Sequence, residues 1–224
     1  MKKLTILLAG VLAVLAAIPA VAAAGEFTAD CESGASCSAT IAGGVATLNN
    51  TSNEKIECSS ADGTATQTSG SSTGTVELTF TGCKEKVSGF NFSCNSAGAA
   101  SGVITTNTMV SHLVYIDPNA STPGVLLTNS NVTFSCAAFF KKQVTGNIIG
   151  HWSNPQCGTF AAERTVTFEA GATTGSQKYT QVTTTGTVFD LISNNDNGGA
   201  YLTSSQTGTG TLKAENNVKT KFTC

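Results

Sequence analysis

Four short runs in this chain each end on a cysteine. "KIEC" stops at Cys58, "VELTFTGC" at Cys83, "NVTFSC" at Cys136 and "VKTKFTC" at Cys224. Apolar and polar residues alternate along them, as they do on strands with one face covered and one face wet. Val132 and Phe134 lead into Cys136 in register, and Val218 and Phe222 lead into Cys224. A cysteine in that register points with the apolar residues, toward the edge of a core. Disulfide geometry requires Cα atoms within about 7 Å, so each such cysteine must find its partner on a neighbouring strand or loop. The pattern predicts strands held together by covalent staples.

The eight cysteines are Cys31, Cys37, Cys58, Cys83, Cys94, Cys136, Cys157 and Cys224. All come after an N-terminal stretch with the marks of a secretory signal peptide. Lys2 and Lys3 precede an apolar run from Leu4 to Ile18, Pro19 breaks it, and Ala22-Ala23-Ala24 offers a small-residue cleavage site before Gly25. The expected division is a signal peptide over 1–24 and a single disulfide-braced β-rich domain over 25–224, secreted, with no stable membrane anchor. An even cysteine count in an oxidising compartment reads as four disulfides. Zinc is the rival reading, but there is no C-x-x-C pair, and His112 and His151 lack ligand spacing to any cysteine. The expected pairing is Cys31–Cys37, Cys83–Cys94, Cys58–Cys136 and Cys157–Cys224, chosen from about 105 possibilities.

Charged residues make up 12% of the chain and the formal net charge is −2. That leaves no basic footprint for nucleic acid. Polarity comes from Thr, Ser, Asn and Gly, which favour strands and turns. Strand-like segments recur: Val76/Leu78/Phe80, Val166/Phe168, "MVSHLVYID" from Met109, and "VTGNIIGHW" from Val144. The third is apolar enough to be covered on both faces. Glycines in the fourth predict a bulge or bend. Turn signals such as "SGSSTG" (69–74), "DPNASTPG" (117–124), "SNPQCG" (153–158) and "NNDNGG" (194–199) separate the runs. The expected fold is all-β, an antiparallel β-sandwich or barrel-like arrangement with disulfides. A soft boundary falls near 153–159, and a second small sheet is the alternative to one continuous domain.

The segments "KIECSSADGTATQTSGSSTGTVELTFTGCKEK", "FNFSCNSAGAASGVITT" and "VTFSCAAFFKKQVTGNIIG" resemble a group of uncharacterised exported, actinobacterial-type bacterial proteins. The likeness spans about two-thirds of the chain after residue 24 and includes Cys58, Cys83, Cys94 and Cys136. It implies a secreted β-rich protein and no particular activity.

Three motifs touch on chemistry. "GSSTG" matches G-x-S-x-G with Ser72 as nucleophile, but a hydrolase elbow needs a helix after it, and here the strand from Val76 comes at once. "NNDNGG" with Asp190 has oxygen ligands for Ca²⁺ but lacks the distal acid of a full site, so an Asn/Gly turn is the better reading. His151 and Trp152 end an apolar strand beside a turn. An exposed indole there could stack on a sugar, together with Tyr115, Tyr179 or Tyr201; the competing reading makes Trp152 a core anchor beside a disulfide. The sequence points to an exported, non-enzymatic structural, surface-associated or binding protein without cofactors. Its partner would be a cell-wall glycan or another protein. A carbohydrate-binding module built on Trp152 is the alternative, and a serine hydrolase stands third.

Overall fold

The computed structural model describes residues 25–116, 122–137, 140–182, 187–194 and 199–224. Residues 1–24, where a signal peptide is expected, much of the 117–124 loop and most of the "NNDNGG" motif lie outside the described residues. Among them are seventeen strands and one short 3₁₀ turn at Glu215–Asn217, with no α-helix.

The strands in chain order are β1 (Thr28–Cys31), β2 (Ser36–Gly43), β3 (Ala46–Asn50), β4 (Lys55–Cys58), β5 (Ser60–Thr68), β6 (Thr73–Thr81), β7 (Lys84–Val87), β8 (Phe90–Ser96), β9 (Ile104–Thr105), β10 (Met109–Tyr115), β11 (Pro123–Cys136), β12 (Phe140–Trp152), β13 (Phe160–Ala161), β14 (Glu163–Phe168), β15 (Leu191–Asn194), β16 (Leu202–Ala214) and β17 (Thr220–Thr223). Every pairing is antiparallel.

Tracing those pairings closes two circuits. The upper ring runs β11-β12-β14-β16-β2-β5-β6-β10 and returns to β11. The lower ring runs β11-β12-β15-β16-β3-β4-β7-β8 and returns to β11. Closure removes the free edges that make open sheets prone to misassociation. The two rings share β11, β12 and β16, the three longest strands, whose two halves serve different rings. The first half of β11 pairs with β10 and its last residues pair with β8. Along its other edge β12 meets β15 first and β14 later.

Each shared strand carries a backbone irregularity where it passes from ring to ring. In β11 the register with β12 slips between Leu127 and Ser130, and Asn129 there has φ 63°. Two residues, Thr128 and Asn129, therefore oppose Asn147 alone, which is a β-bulge. The extra residue flips the inward parity for the rest of the strand. Val125 and Leu127 face inward above the bulge, whereas Val132, Phe134 and Cys136 face inward below it. In β12 the break is Gly146, φ 111°, where a Cβ would lie 2.2 Å from the Asp190 carbonyl oxygen. In β16 it is Gly208, φ 154°.

Two apolar clusters fill the rings. The upper one includes Ile41, Val76, Leu113, Leu127, Ile148, Trp152 and Phe222. The lower one includes Ile56, Ile104, Val132, Phe134, Val144 and Leu191 with four cysteines. A third cluster, with Val114, Leu126, Ile149 and Phe189, lies on the opposite face of β10, β11 and β12. Residues around Tyr179 and Val182 cover it, so β10 is packed on both sides. A separate three-stranded sheet, β1-β17-β13, sits at the upper ring, where Phe27 contacts both Tyr115 and Phe222.

The disulfides are Cys31–Cys37, Cys58–Cys83, Cys94–Cys136 and Cys157–Cys224. The first and last match the expectation, and the middle two correct it. Cys83 and Cys94 are indeed neighbours across the β7–β8 hairpin, but they are joined by a backbone hydrogen bond, Cys94 N–H to Cys83 O at 3.0 Å. Their sulfurs reach outward to the next strand on either side. Cys94 stands directly opposite Cys136 in the β8–β11 register, with Cα atoms 4.0 Å apart. The two bridges lie side by side in the lower core, so the spatial neighbourhood was right and the partners were exchanged. Cys224 also differs from expectation. It lies beyond the end of β17 and is exposed, as is Cys157, so this bridge ties the chain end to a surface loop and does not line the core.

Candidate functional site

The inward faces of both rings bound one continuous, predominantly apolar cavity of about 210 Å³. Trp152, Phe222, Val166 and Leu127 line its upper part; Ile56, Val132, Phe134 and Leu191 line its lower part. Gln67, Ser111 and Arg164 supply part of the polar lining. Strand alternation produces this surface: each strand sends every second side chain inward, and those positions are mostly aliphatic. Water in the apolar parts of this space would find few hydrogen-bond partners.

Each ring contains a buried cation. At the top is Arg164 of β14, with its guanidinium carbon 3.9 Å over the Phe222 ring. It donates to the carbonyl oxygens of Pro155, Thr159 (3.1 Å) and Thr220 (2.8 Å), and to Thr220 Oγ1 (3.2 Å). Burial pushes this guanidinium down to about 10, and the surrounding acceptors keep it charged at neutral pH. Arg164 thereby organises the 153–159 turn, which is wired into the upper ring. At the bottom is Lys142 of β12, whose Nζ lies 2.5 Å from Glu85 Oε1 and 3.4 Å from Glu54 Oε2. Lys142 and Glu85 are both buried.

The aromatic residues expected to form a binding face do not converge. Trp152 is buried at 6% exposure, its indole N–H donates to the Gly124 carbonyl at 3.1 Å, and its ring meets Phe222 at 5.1 Å. The stacking face needed for a sugar is therefore occupied by core neighbours, and the core-anchor reading of Trp152 is the correct one. His151, next along β12, points to the other side of the sheet. It lies near Tyr179, ring centroids 5.9 Å apart, with Nδ1 3.2 Å from Glu169 Oε2. Lys178 closes the same small surface cluster by donating to Glu169, which pushes its ammonium up. Tyr115 is half-buried against Phe27, and exposed Tyr201 donates to Gln143 Oε1 at 2.6 Å in the lower ring. Only His151 and Tyr179 come together.

Ser72 precedes β6, and a strand stands where the hydrolase elbow would need a helix. Its Oγ donates to Glu26 Oε2 at 2.5 Å, while His112 Nδ1 stands 3.6 Å from Glu26 Oε1. The carboxylate thus sits between hydroxyl and imidazole. A nucleophile triad requires the imidazole in the middle, so this is not a proton relay for Ser72. Burial holds the His112 imidazole below its ordinary value, against the opposing pull of Glu26.

Sequence reasoning missed Arg164, Lys142, Glu85 and Asn50, all of which are buried. One signal existed for Lys142: it shares strand parity with Val144 and Ile148, which marks it as inward-facing. Glu85 converges with Cys94 and Cys136 within 4.8 Å, but those sulfurs are joined to each other and the carboxylate is engaged by Lys142. Among the described residues, no helix is long and apolar enough to cross a membrane. No family model, curated protein sequence or solved structure matches the chain.

Proposed function

We propose that the protein is an exported, non-enzymatic binding protein whose fused barrels hold one small apolar molecule. The observation that carries this reading is the continuous apolar cavity of about 210 Å³. An apolar cavity of about 150 Å³ is large enough to take benzene in another protein, so the space here suits a substituted single ring or a short hydrocarbon chain. Four disulfides fit folding in an oxidising environment, and the likeness of Lys55–Lys86 and its neighbouring segments to exported β-rich proteins points the same way. A rigid shell keeps such a cavity from collapsing, which lowers the ordering cost of binding.

Trp152 is the chain's single tryptophan and lines the cavity, so it is a built-in reporter. The oxidised protein is titrated with toluene and with hexane. The expected result is a saturable change in Trp152 emission with a rise in Tm, since a ligand at a hundredfold excess over its Kd adds about 2.7 kcal/mol. Ala65→Leu, which fills space from β5, abolishes both changes while the protein stays folded. No response to either probe overturns the reading and leaves a disulfide-braced structural or surface-associated scaffold.

A further inference from the structure

We propose that Lys142 and Asn50 are the two halves of an intramolecular amide cross-link, formed inside the lower ring with Glu54 as the proton carrier. Asn50 ends β3 and Lys142 begins the inward-facing series of β12. Both side chains are buried, and both line the same small cavity together with Glu54, Leu48 and Val144. They meet on one atom: Glu54 Oε2 accepts from Asn50 Nδ2 at 2.9 Å and from Lys142 Nζ at 3.4 Å. A carboxylate that touches both the amine and the carboxamide is placed to move a proton from one nitrogen to the other.

The remaining groups fit the same step. Asn50 Oδ1 accepts from the backbone N–H of Ser52 at 3.0 Å and of Glu54 at 3.1 Å. Two N–H donors on a carbonyl oxygen polarise its carbon and stabilise the oxyanion that forms on attack. Glu85, 2.5 Å from Nζ, takes the ammonium proton and leaves a free amine. Leu48, Ile56 and Val144 form the apolar part of the wall around the buried Asn50 and Lys142, and they restrict the water that would compete as nucleophile. First, Lys142 passes one proton to Glu85 and its Nζ bonds to Asn50 Cγ. The adduct then loses a second proton from Nζ to Glu54. Glu54 delivers that proton to Nδ2, the Cγ–Nδ2 bond breaks, and ammonia leaves with the proton held on Glu85 as ammonium. No oxidant, metal or external reagent enters the balance. The product joins β3 to β12 across the ring interior, independently of what the apolar cavity holds.

Peptide mapping tests this directly. The oxidised protein is unfolded, reduced, alkylated, digested with trypsin and analysed by mass spectrometry. The expected product is a branched peptide joining the Asn50 segment to the one that starts at Lys142. Its mass is the sum of the two linear peptides less one ammonia, and cleavage after Lys142 is lost. Lys142→Arg removes the branched species, and Glu54→Gln slows its appearance in protein sampled over time after folding. Fully linear Asn50 and Lys142 peptides in the wild type overturn the proposal even if a variant fails to fold. So does ammonia loss confined to a linear peptide, or a branched peptide joining Lys142 to Glu85 with loss of water.

Discussion

The Arg164 guanidinium carbon lies over the Phe222 ring, 3.9 Å from its centroid, and so joins β14 of the upper ring to β17 of the small sheet. Replacing Arg164 with alanine removes its hydrogen bonds to the part-buried carbonyls of Pro155, Thr159 and Thr220, and hydrogen bonds to a charged group contribute about 1.5–3 kcal/mol each. Arg164→Ala is expected to lower stability by about 3–4 kcal/mol in urea melts. Arg164→Lys recovers only part of it, because an ammonium cannot span acceptors on three segments.

Trp152 is buried. Its emission is expected to be blue-shifted and poorly quenched by iodide or acrylamide. Trp152→Phe loses the hydrogen bond to Gly124 and packing against Phe222, at a cost of about 2 kcal/mol. Strong quenching in the native protein would sink the buried placement.

Mild reduction separates the bridges. Cys157 and Cys224 are exposed, whereas the other six cysteines are buried. Timed alkylation with mass mapping is expected to label Cys157 and Cys224 first. Removing that bridge, which closes a loop of 67 residues, costs about 4 kcal/mol in the chain-entropy model. Removing Cys31–Cys37, with a separation of 6, costs about 2 kcal/mol in the same model.

Gly146 and Gly44 make a matched pair. Gly146 has φ 111° and its Cβ would strike the Asp190 carbonyl; Gly44 has nothing within 4 Å and no positive φ. Gly146→Ala is expected to destabilise by about 2–3 kcal/mol, and Gly44→Ala to stay within about 0.5 kcal/mol of wild type. Equal effects would remove the argument that Gly146 marks the crossing between rings.

Acid pH weakens the protein through His112. Desolvation holds this imidazole below its ordinary value of 6.5 in the folded state, while the unfolded chain titrates normally. Below pH 6.5 the unfolded chain therefore binds more protons, and stability falls as pH drops from 6.5 toward the folded value. Above 6.5 the contribution is constant. Denaturant midpoints measured between pH 7.5 and 5 are expected to decline, and His112→Gln flattens that slope.

Strand identities, the polarity of the faces, the disulfide chemistry and two of the four bridges were legible in the residues alone. These are local properties. Period-2 alternation is written in neighbouring residues such as Val132, Phe134 and Cys136, and Cys31 and Cys37 are close enough to meet through the chain itself. The glycine-marked bend in β12 was also legible, because Gly146 stands inside an apolar run. Other features depend on contacts distant in sequence and emerge only when the strands pair. The Asn129 bulge reverses which parity faces inward, and nothing in "TNSNV" announces that shift. The exchange of partners among Cys58, Cys83, Cys94 and Cys136 depends on which strands flank the β7–β8 hairpin. The grouping of buried Lys142, Glu85 and Asn50 with the half-buried Glu54 of the β3–β4 turn exists only because ring closure brings β12, β7 and β3 around one interior. A charged residue on an alternating strand reads as solvent-facing until closure shows which side is inside.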